Sequence, residues 1–407
     1  MSAIKLLCSN CRRGFSATEL IWSCPTCGSM LEIQPAPDRL GRYQEVFGGS
    51  GDTPEPAGRG EALVGHPRRP PAPGIWRYAP LMQVDAARPV SLGEGSTPVV
   101  RLSALGDRLG LAHLYAKLEY FAPTGSFKDR GATAMVTQAL ALGVTRLVED
   151  SSGNAGASFA AYCAAAGIKA SIYVPASAPA AKKAQIAFYG AEVVEVEGSR
   201  EAVTEAALER CRREDGAYYA SHNWNPFFLE GTKTFAYEVA AQFDFDPPER
   251  LIMPVGNGSL FLGAWKGFGE LRAAGLLGRL PRLDVAQATG CMPIVDAHNR
   301  GLERTEAIPT SPTIAGGISI ARPSRGGLVL RAMRESGGSG AAATDAEILE
   351  LQRALATLEG IFCEPTSAAA FAALAHLVRE GAVHPQERVL VAVTGTGLKD
   401  TGVLGAV

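Results

Sequence analysis

The 407-residue sequence has little of what marks a membrane, secreted or nucleic-acid-binding protein. No apolar run approaches the roughly 18 residues that a transmembrane helix needs, and the first residues lack the apolar core of a signal peptide. The 39 basic and 41 acidic side chains give a net charge of −2, which argues against a nucleic-acid surface over the whole protein. We therefore expect a cytoplasmic protein with no membrane and no nucleic-acid partner.

Cysteine is scarce, and half of it falls into a pattern. Two C-x2-C pairs, Cys8/Cys11 and Cys24/Cys27, are separated by twelve residues. Two such pairs can place four thiolates around one ion, which is the usual structural zinc arrangement. A disulfide pairing or a redox dithiol is the alternative, and the doubled spacing favours Zn²⁺ in a ribbon over residues 1–34. Single cysteines among mostly apolar residues are expected to be buried thiols: Cys163, Cys211, Cys291 and Cys363.

The composition changes over residues 35–74. Eight prolines and eight glycines fall in these 40 positions, and hydrophobic periodicity disappears. The segment is therefore predicted to be a mobile linker between the ribbon and a larger body.

After about Leu111, short β-rich runs alternate with alanine-rich helical stretches. This alternation is typical of an α/β fold with a mainly parallel sheet. Strands are predicted at His113–Tyr120, Arg146–Asp150, Ala170–Val174, Glu192–Val196, Tyr218–Ser221, Leu251–Val255, Leu283–Ala288 and Arg388–Val393. Helices are predicted between them, for example at Ala155–Ala166, Ala180–Phe188, Arg200–Arg213 and Leu229–Gln242.

Two strand-to-helix turns carry residues suited to anions, in the place where ligands bind such sheets. The first holds Ser151, Ser152 and Asn154, whose hydroxyls and neighbouring helix N–H groups suit a carboxylate. An ordinary helix-capping turn is equally compatible with these residues. The second, Gly256-Asn-Gly258, lets backbone N–H groups surround a phosphate oxygen. It matches neither a dinucleotide fingerprint nor a P-loop, so it indicates another phosphorylated cofactor.

Lys128 lies in the stretch Pro123-Thr-Gly-Ser-Phe-Lys-Asp-Arg130. A lone lysine is usually a surface residue, but a desolvated lysine amine can form a Schiff base with an aldehyde. Pyridoxal phosphate needs such a lysine, a phosphate site and a group facing its pyridine nitrogen. Thr394, where an apolar strand meets a glycine turn, offers a hydroxyl for that nitrogen. A hydroxyl leaves the ring largely unprotonated, which suits β- and γ-elimination or replacement.

The chain resembles the threonine synthase family, fold type II pyridoxal-phosphate enzymes of the tryptophan synthase beta-like superfamily. The matching motifs cover nearly everything after Gly74, and some relatives also carry an N-terminal zinc ribbon. The resemblance implies a homodimer and a catalytic body over 75–407, with the cofactor between two mainly parallel α/β domains, the smaller covering about 135–230. The motifs run in family order: Gly74-Ile-Trp-Arg-Tyr78, Leu92-Gly-Glu-Gly-Ser-Thr-Pro98, Pro123-Thr-Gly-Ser-Phe-Lys-Asp-Arg-Gly131, Ser151-Ser-Gly-Asn154, Asn225-Pro226, Glu230-Gly-Thr-Lys-Thr234, Val255-Gly-Asn-Gly258, Glu364-Pro-Thr-Ser-Ala368 and Thr394-Gly-Thr-Gly-Leu-Lys-Asp400.

The same resemblance assigns roles to individual residues. Lys128 is implied to be the Schiff-base lysine and the acid–base group, Asn154 the contact of the cofactor's 3′ oxygen, and Thr394 the contact of its pyridine nitrogen. Ser151, Ser152 and Ala155 are implied to line the turn that holds the substrate carboxylate. The cofactor phosphate is implied to be held by Gly256, Asn257, Gly258, Ser259 and Leu260.

The chain departs from the family where the substrate's own phosphate is bound. Threonine synthase removes phosphate from O-phosphohomoserine and holds that dianion with an arginine, which here is Phe228. His222 and Asn223 replace the family's frequent Asn-Ser, and Ala155 replaces its threonine. Losing an arginine–phosphate pair weakens binding substantially.

Two substrate hypotheses follow from this departure. Either Arg322, Arg325 or a lysine from elsewhere in the chain rebuilds the anion site, or the substrate is an unphosphorylated amino acid and the enzyme is a dehydratase, ammonia-lyase or β-replacement enzyme. Asn223 and Phe228 would line that pocket, with His222 a structural neighbour more than an acid–base group. A zinc-ribbon ligand sensor is a third reading, and the complete cofactor set argues against it. We expect a pyridoxal-phosphate lyase whose partner is a small-molecule amino-acid substrate.

Overall fold

The computed structural model describes residues 4–34, 40–47, 74–178 and 180–402. Within these ranges, no helix is both long and apolar enough to cross a bilayer. The chain begins with a small antiparallel sheet of order β2-β1-β3. Its strands are β1 (Lys5–Cys8), β2 (Gly14–Ser16) and β3 (Leu31–Ile33).

This amino-terminal unit packs on the rest of the chain through aromatic side chains. The ring of Trp22 lies edge to face with Tyr219, at 4.9 Å between centroids, and with Trp224, at 6.1 Å. The Tyr218 hydroxyl donates to the carbonyl of Ile21 over 3.2 Å. The amino-terminal unit is therefore packed in a defined position against the rest of the chain, which could not be predicted from the sequence.

Helix α1 (Leu40–Phe47) lies inside the segment predicted to be a linker. The hydroxyl of Tyr43 lies 3.0 Å from that of Tyr237 and donates to Glu270 over 2.9 Å, and the Phe47 ring packs on Tyr237. The prediction of an unstructured linker is wrong for these eight residues because they carry the aromatic side chains of the segment. Residues 35–39 and 48–73 lie outside the described part of the chain.

The remaining elements alternate between strands and helices, as expected from the sequence. The strands are β4 (Val99–Arg101), β5 (His113–Leu118), β6 (Arg146–Glu149), β7 (Lys169–Pro175), β8 (Glu192–Val196), β9 (Ala217–Tyr219), β10 (Arg250–Pro254), β11 (Arg282–Ala288), β12 (Gly340–Ala343) and β13 (Arg388–Val393). The helices are α2 (Ser103–Leu109), α3 (Lys128–Ala141), α4 (Asn154–Ala166), α5 (Ala180–Phe188), α6 (Arg200–Arg213), α7 (Phe227–Thr232), α8 (Thr234–Gln242), α9 (Ser259–Ala273), α10 (Pro293–Asn299), α11 (Gly326–Ser336), α12 (Asp345–Glu359) and α13 (Pro365–Arg379).

These strands form two sheets. The larger has the order β12-β11-β10-β13-β5-β4, and all its neighbours are parallel except β4, which is antiparallel to β5. The smaller has the order β8-β7-β6-β9 and is entirely parallel. The predicted α/β architecture with mainly parallel sheets is confirmed. The smaller sheet falls within the predicted 135–230 subdomain, whose exact limits stay a prediction.

Local differences from the predicted elements have physical causes. All eight predicted strands form, whereas β12 was missed because Gly-Ala-Ala-Ala lacks the β-branched residues that indicate a strand. The single helix expected over Leu229–Gln242 is two helices that meet at Lys233. At this join the hydroxyls of Thr232 and Thr234 donate to backbone carbonyls, and such bonds compete with helical ones.

A fully buried cluster of charged side chains connects α3, β5 and α8. The Arg130 guanidinium, in the first turn of α3, donates to Glu119 over 2.6 and 2.9 Å and to Glu238 of α8 over 2.7 and 2.9 Å. Lys117 of β5 lies 3.0 Å from Glu238. Burial alone would raise the pKa of Glu238, but the charges of Arg130 and Lys117 hold it below the ordinary value. The cluster is therefore ionised and internally paired.

Replacing Arg130 by Met should destabilise the protein by about 3–5 kcal/mol, because two carboxylates would be left buried without their shared partner. Urea unfolding of the purified protein measures this change. Arg213→Met is the matched control, since Arg213 pairs with Glu209 at the surface, with 77% of its side chain exposed. A shift no larger than that of the control would show that the cluster does not hold the fold together.

Candidate active site

Lys128 is the first residue of α3 and points toward the start of α9. Its Nζ lies 3.5 Å from Ser259 Oγ, and 4.7 and 5.7 Å from the ring centroids of Phe127 and Phe228. Burial lowers the pKa of Lys128 to about 8, against the opposing charges of Glu149 and Glu364. A substantial fraction of this amine is therefore uncharged near neutral pH, as a nucleophile or base requires.

The loop after β10 forms an anion cradle at the start of α9. Gly258 has a φ of 84°, and no described side chain caps the helix, so its first N–H groups face a prospective ligand. A Cβ on Gly256 would lie 2.9 Å from Ile320 and 3.0 Å from the Gly317 carbonyl oxygen, so glycine is required there. The Ser324 N–H donates to Asn257 Oδ1 over 3.3 Å and ties the loop down.

Glu364 bridges the two side chains predicted to contact opposite edges of the cofactor ring. The Asn154 amide, at the start of α4, donates to both Glu364 oxygens over 3.1 and 3.3 Å. Thr394 Oγ1, just after β13, lies 3.5 Å from Glu364 Oε1 and 3.0 Å from Ser367 Oγ. Sequence reasoning gave Glu364 no role, although its place directly before the first residue of α13 was a usable signal.

These residues fit pyridoxal phosphate. The helix terminus offers free N–H donors for a phosphate, and a lysine amine of lowered pKa lies beside it. The amide of Asn154 and the hydroxyl of Thr394 supply the remaining polar contacts, and both now share the Glu364 carboxylate. The five residues from Gly256 to Leu260 all belong to the cradle or to the first turn of α9.

The predicted carboxylate turn lies between β6 and α4. Ser151 Oγ accepts the Gly153 N–H over 3.3 Å, and Ser152 is partly exposed. Helix α4 begins at Asn154 with no cap from any described side chain, and Ala155 is buried in its first turn. The turn can therefore present hydroxyl and backbone N–H donors together.

Phe228, at the position where the resemblance implied an arginine, forms an apolar wall. It is fully buried in α7, with its ring centroid 6.0 Å from that of Phe159 and 5.9 Å from that of His222. A Cβ on Gly131 would lie 2.3 Å from the Phe228 ring, so α3 and α7 approach closely at this point. No cation from position 228 reaches the space beside Lys128.

A buried acid–histidine pair packs against this wall. Nδ1 of His222 is 2.6 Å from Oε1 of Glu149, the last residue of β6. Burial, and then the neighbouring Asp150, raise the pKa of Glu149 well above its usual value. Burial and the charge of Lys128 lower the pKa of His222 well below its usual value. Sequence reasoning missed this pair, because Glu149 and His222 are 73 residues apart.

Arg325 is the one proposed compensating cation that is buried; Arg322 is exposed. Its Nε donates to the carbonyl of Asn223 over 2.7 Å, and Nη2 lies 3.3 Å from that of Trp224. Burial lowers the pKa of Arg325 to about 10, with the Glu32 carboxylate of β3 opposing. The guanidinium therefore holds the segment that carries Asn223.

The family comparison decides the cofactor. The model of the family described as "Pyridoxal-phosphate dependent enzyme" matches residues 90–395, which include every residue of the candidate cofactor site. The chain belongs to this family. The predicted cofactor, pyridoxal phosphate, is confirmed at this level.

Curated relatives and solved structures agree with this assignment. The threonine synthase of Methanocaldococcus jannaschii is 38% identical, and that of Methanosarcina acetivorans 36%; each match covers 97% of this chain and 92% of the relative. Maize serine racemase superposes with a TM-score of 0.66 at 24% identity, over 76% of this chain and 90% of that one. Threonine deaminase isoform 2 of Solanum lycopersicum gives 0.63 at 20% identity, over 76% and 81%.

These likenesses confirm three predictions from the sequence. The chain is similar to the threonine synthases over most of its length. Its fold is that of the type II pyridoxal-phosphate enzymes. It is a pyridoxal-phosphate-dependent lyase of the elimination or synthase type, and a small-molecule amino-acid substrate is consistent with its relatives.

Lys128 should react with an amine-directed acylating reagent in the cofactor-free protein with a midpoint near pH 8, because burial lowers its pKa to about that value. Peptide mass spectrometry after labelling across a pH series measures the midpoint. The labelled position should be absent from Lys128→Ala. A midpoint near 10.5, the ordinary value, would contradict the desolvated environment.

Proposed function

We propose that the protein catalyses elimination from, or replacement on, an amino acid whose leaving group is not phosphate. The observation that carries this proposal is the fully buried Phe228, which stands where the family has its phosphate-binding arginine. The carboxyl group of Glu149 is bound to His222, whose ring packs against Phe228. A dianion placed beside an apolar ring and an acidic side chain gains little and loses its hydration.

The helix starts, burial and hydrogen bonds described above support the following cofactor contacts. The N–H groups at the start of α9, from Gly256 to Leu260, hold the phosphate, and Lys128 holds the cofactor covalently. Asn154 and Thr394 would contact its ring, and both lie within hydrogen-bonding distance of the Glu364 carboxylate. When bound, pyridoxal phosphate stabilises the negative charge that develops on the substrate's Cα.

The chain's own groups then handle the substrate. Ser151, Ser152 and the N–H of Ala155 bind its carboxylate at the start of α4, where the helix dipole favours an anion. Lys128 Nζ, with its lowered pKa, removes the Cα proton. Asn223 and Phe228 line the space occupied by the side chain of the substrate.

Threonine synthase activity on O-phosphohomoserine is the second candidate, and one observation favours it. Arg325 is buried and makes its hydrogen bonds to backbone carbonyls, so its positive charge has no carboxylate within salt-bridge distance among the described residues. A guanidinium can bind a phosphate through paired N–H donors.

Four cysteine thiols support a structural Zn²⁺ in the amino-terminal unit. The Sγ atoms of Cys8, Cys11, Cys24 and Cys27 all lie within 4.8 Å of one another. This closed set leaves no coordination position for catalysis, so the ion stabilises the ribbon. A homodimer, a cytoplasmic location and the absence of a nucleic-acid partner stay predictions.

The pyridoxal-phosphate-loaded enzyme should release keto acid from an unphosphorylated amino acid and no inorganic phosphate from O-phospho-L-homoserine. Keto-acid and phosphate assays on a panel of L-serine, L-threonine, L-homoserine and O-acetyl-L-serine test this. Lys128→Ala should lose both turnover and the cofactor's visible absorbance.

Phosphate release with threonine formed in the same tube would overturn the first candidate in favour of the second. Arg325→Met should then abolish phosphate release, because that variant removes the buried guanidinium that has no carboxylate within salt-bridge distance among the described residues. Loss of phosphate release with retained cofactor absorbance would assign the anion site to Arg325.

The purified protein should contain about one zinc ion per chain, because four thiolates complete one tetrahedral site. Elemental analysis measures the content, and Cys11→Ser should lower it and expose the ribbon to limited proteolysis. Cys211→Ser is the control, since Cys211 lies on α6, away from the cluster. A zinc-free, protease-resistant ribbon would argue against a structural metal.

A further inference from the structure

We propose that Glu149 and His222 form a proton relay that protonates a departing hydroxyl group of the substrate. The inference rests on the proposed function and narrows it: the substrate is a β-hydroxy amino acid, and its leaving group departs as water. His222 lies in the stretch where the resemblance implied polar contacts for a substrate phosphate.

The position of the pair carries the argument. His222 and Asn223 occupy the stretch in which the family has Asn-Ser beside its Asn-Pro motif, and the His222 ring packs against Phe228, which in turn lies beside Lys128. Lys128 and the pair therefore flank one apolar wall. A substrate whose Cα lies at Lys128 extends its side chain along this wall toward His222.

The hydrogen-bonding state of His222 leaves one nitrogen for the substrate. Nδ1 is bound to Glu149 over 2.6 Å, whereas Nε2 has no hydrogen-bond partner among the described residues. The side chain of His222 is buried, with 10% of its surface exposed. Glu149 orients the ring, as a carboxylate does for a catalytic histidine.

Two buried acceptor atoms beside His222 also lack partners. Glu149 Oε2 and Asn223 Oδ1 are enclosed and make no hydrogen bond within the described residues. Buried polar atoms of native proteins are normally satisfied, so these two call for donor groups from a ligand or from water. A hydroxyl group and the water it becomes are donors of this kind, whereas a phosphate dianion offers only acceptors.

The proton inventory of the step balances. Lys128 Nζ takes the Cα proton, and the Cβ–O bond breaks with its electron pair on oxygen. Nε2 of His222 gives its proton to that oxygen while Nδ1 takes the proton carried by Glu149, and water leaves. The pair ends as a carboxylate bound to a neutral imidazole and regains one proton from solvent. The raised pKa of Glu149 and the lowered pKa of His222 fit a pair that starts with one proton on the acid.

Leaving groups that differ in their need for a proton test the relay. The hydroxyl group of L-serine must be protonated to leave as water, whereas chloride leaves β-chloro-L-alanine without a proton. In His222→Asn and Glu149→Gln, the ratio of pyruvate formed from L-serine to that formed from β-chloro-L-alanine should fall about a hundredfold, the range typical of a lost general acid. His384→Asn, at an exposed histidine, should leave the ratio unchanged.

A second measurement separates the relay from a structural role. Nuclear magnetic resonance in deuterated solvent should show that His222→Asn still exchanges the Cα proton of L-serine through Lys128, while pyruvate release is lost. Glu149→Gln keeps the shape of the side chain and serves if His222→Asn does not fold, and the cofactor's absorbance reports loading in each variant.

Three outcomes would overturn the relay. They are an unchanged ratio in both variants, a parallel loss of exchange and of both eliminations, and a wild-type enzyme that turns over β-chloro-L-alanine but not L-serine. Failure of the wild-type enzyme with every unphosphorylated amino acid would instead contradict the proposed function itself.

Discussion

The Arg130 guanidinium is the constraint on which the active site depends. It lies two residues after Lys128 in the first turn of α3 and is held by carboxylates from two separate segments, Glu119 after β5 and Glu238 on α8. A helix start that is anchored on both sides cannot rotate without breaking several buried charge-assisted bonds. The direction of Lys128 toward α9 is therefore set by a cluster that takes no part in the chemistry.

Desolvation gives the site its reactivity. The same exclusion of water makes a lysine less basic, an acid less acidic and a histidine harder to charge. Arg130 keeps its charge in these surroundings because Glu119 and Glu238 compensate it. Within the described part of the chain, Lys128 has no carboxylate at salt-bridge distance, and burial lowers its pKa to about 8. Arg130 therefore carries a charge that stabilises the fold, whereas Lys128 is an amine available for chemistry.

The site residues that the sequence predicted, and that the structure brings together, belong to motifs that are local in the chain. Lys128, the Gly256–Leu260 loop and the strand end at Thr394 are each recognisable from a few adjacent residues, and parallel strands bring such turns to one edge. The pairing of Glu149 with His222 and the bridge from Glu364 to Asn154 are contacts between distant segments, so no spacing rule reveals them. The seat of Trp22 and the helix around Tyr43 were hidden for the same reason. Their aromatic side chains gain stability only from partners elsewhere in the fold.

The edge-to-face contact of Trp22 with Trp224 has a practical consequence. These are two of the four tryptophans in the protein, and one belongs to the amino-terminal ribbon while the other adjoins the His222–Asn223 segment. Tryptophan fluorescence depends on the surroundings of the indole ring. Packing or release of the ribbon should therefore change the fluorescence of the protein. Fluorescence can thus follow the ribbon and the wall of the pocket together, in the unlabelled protein.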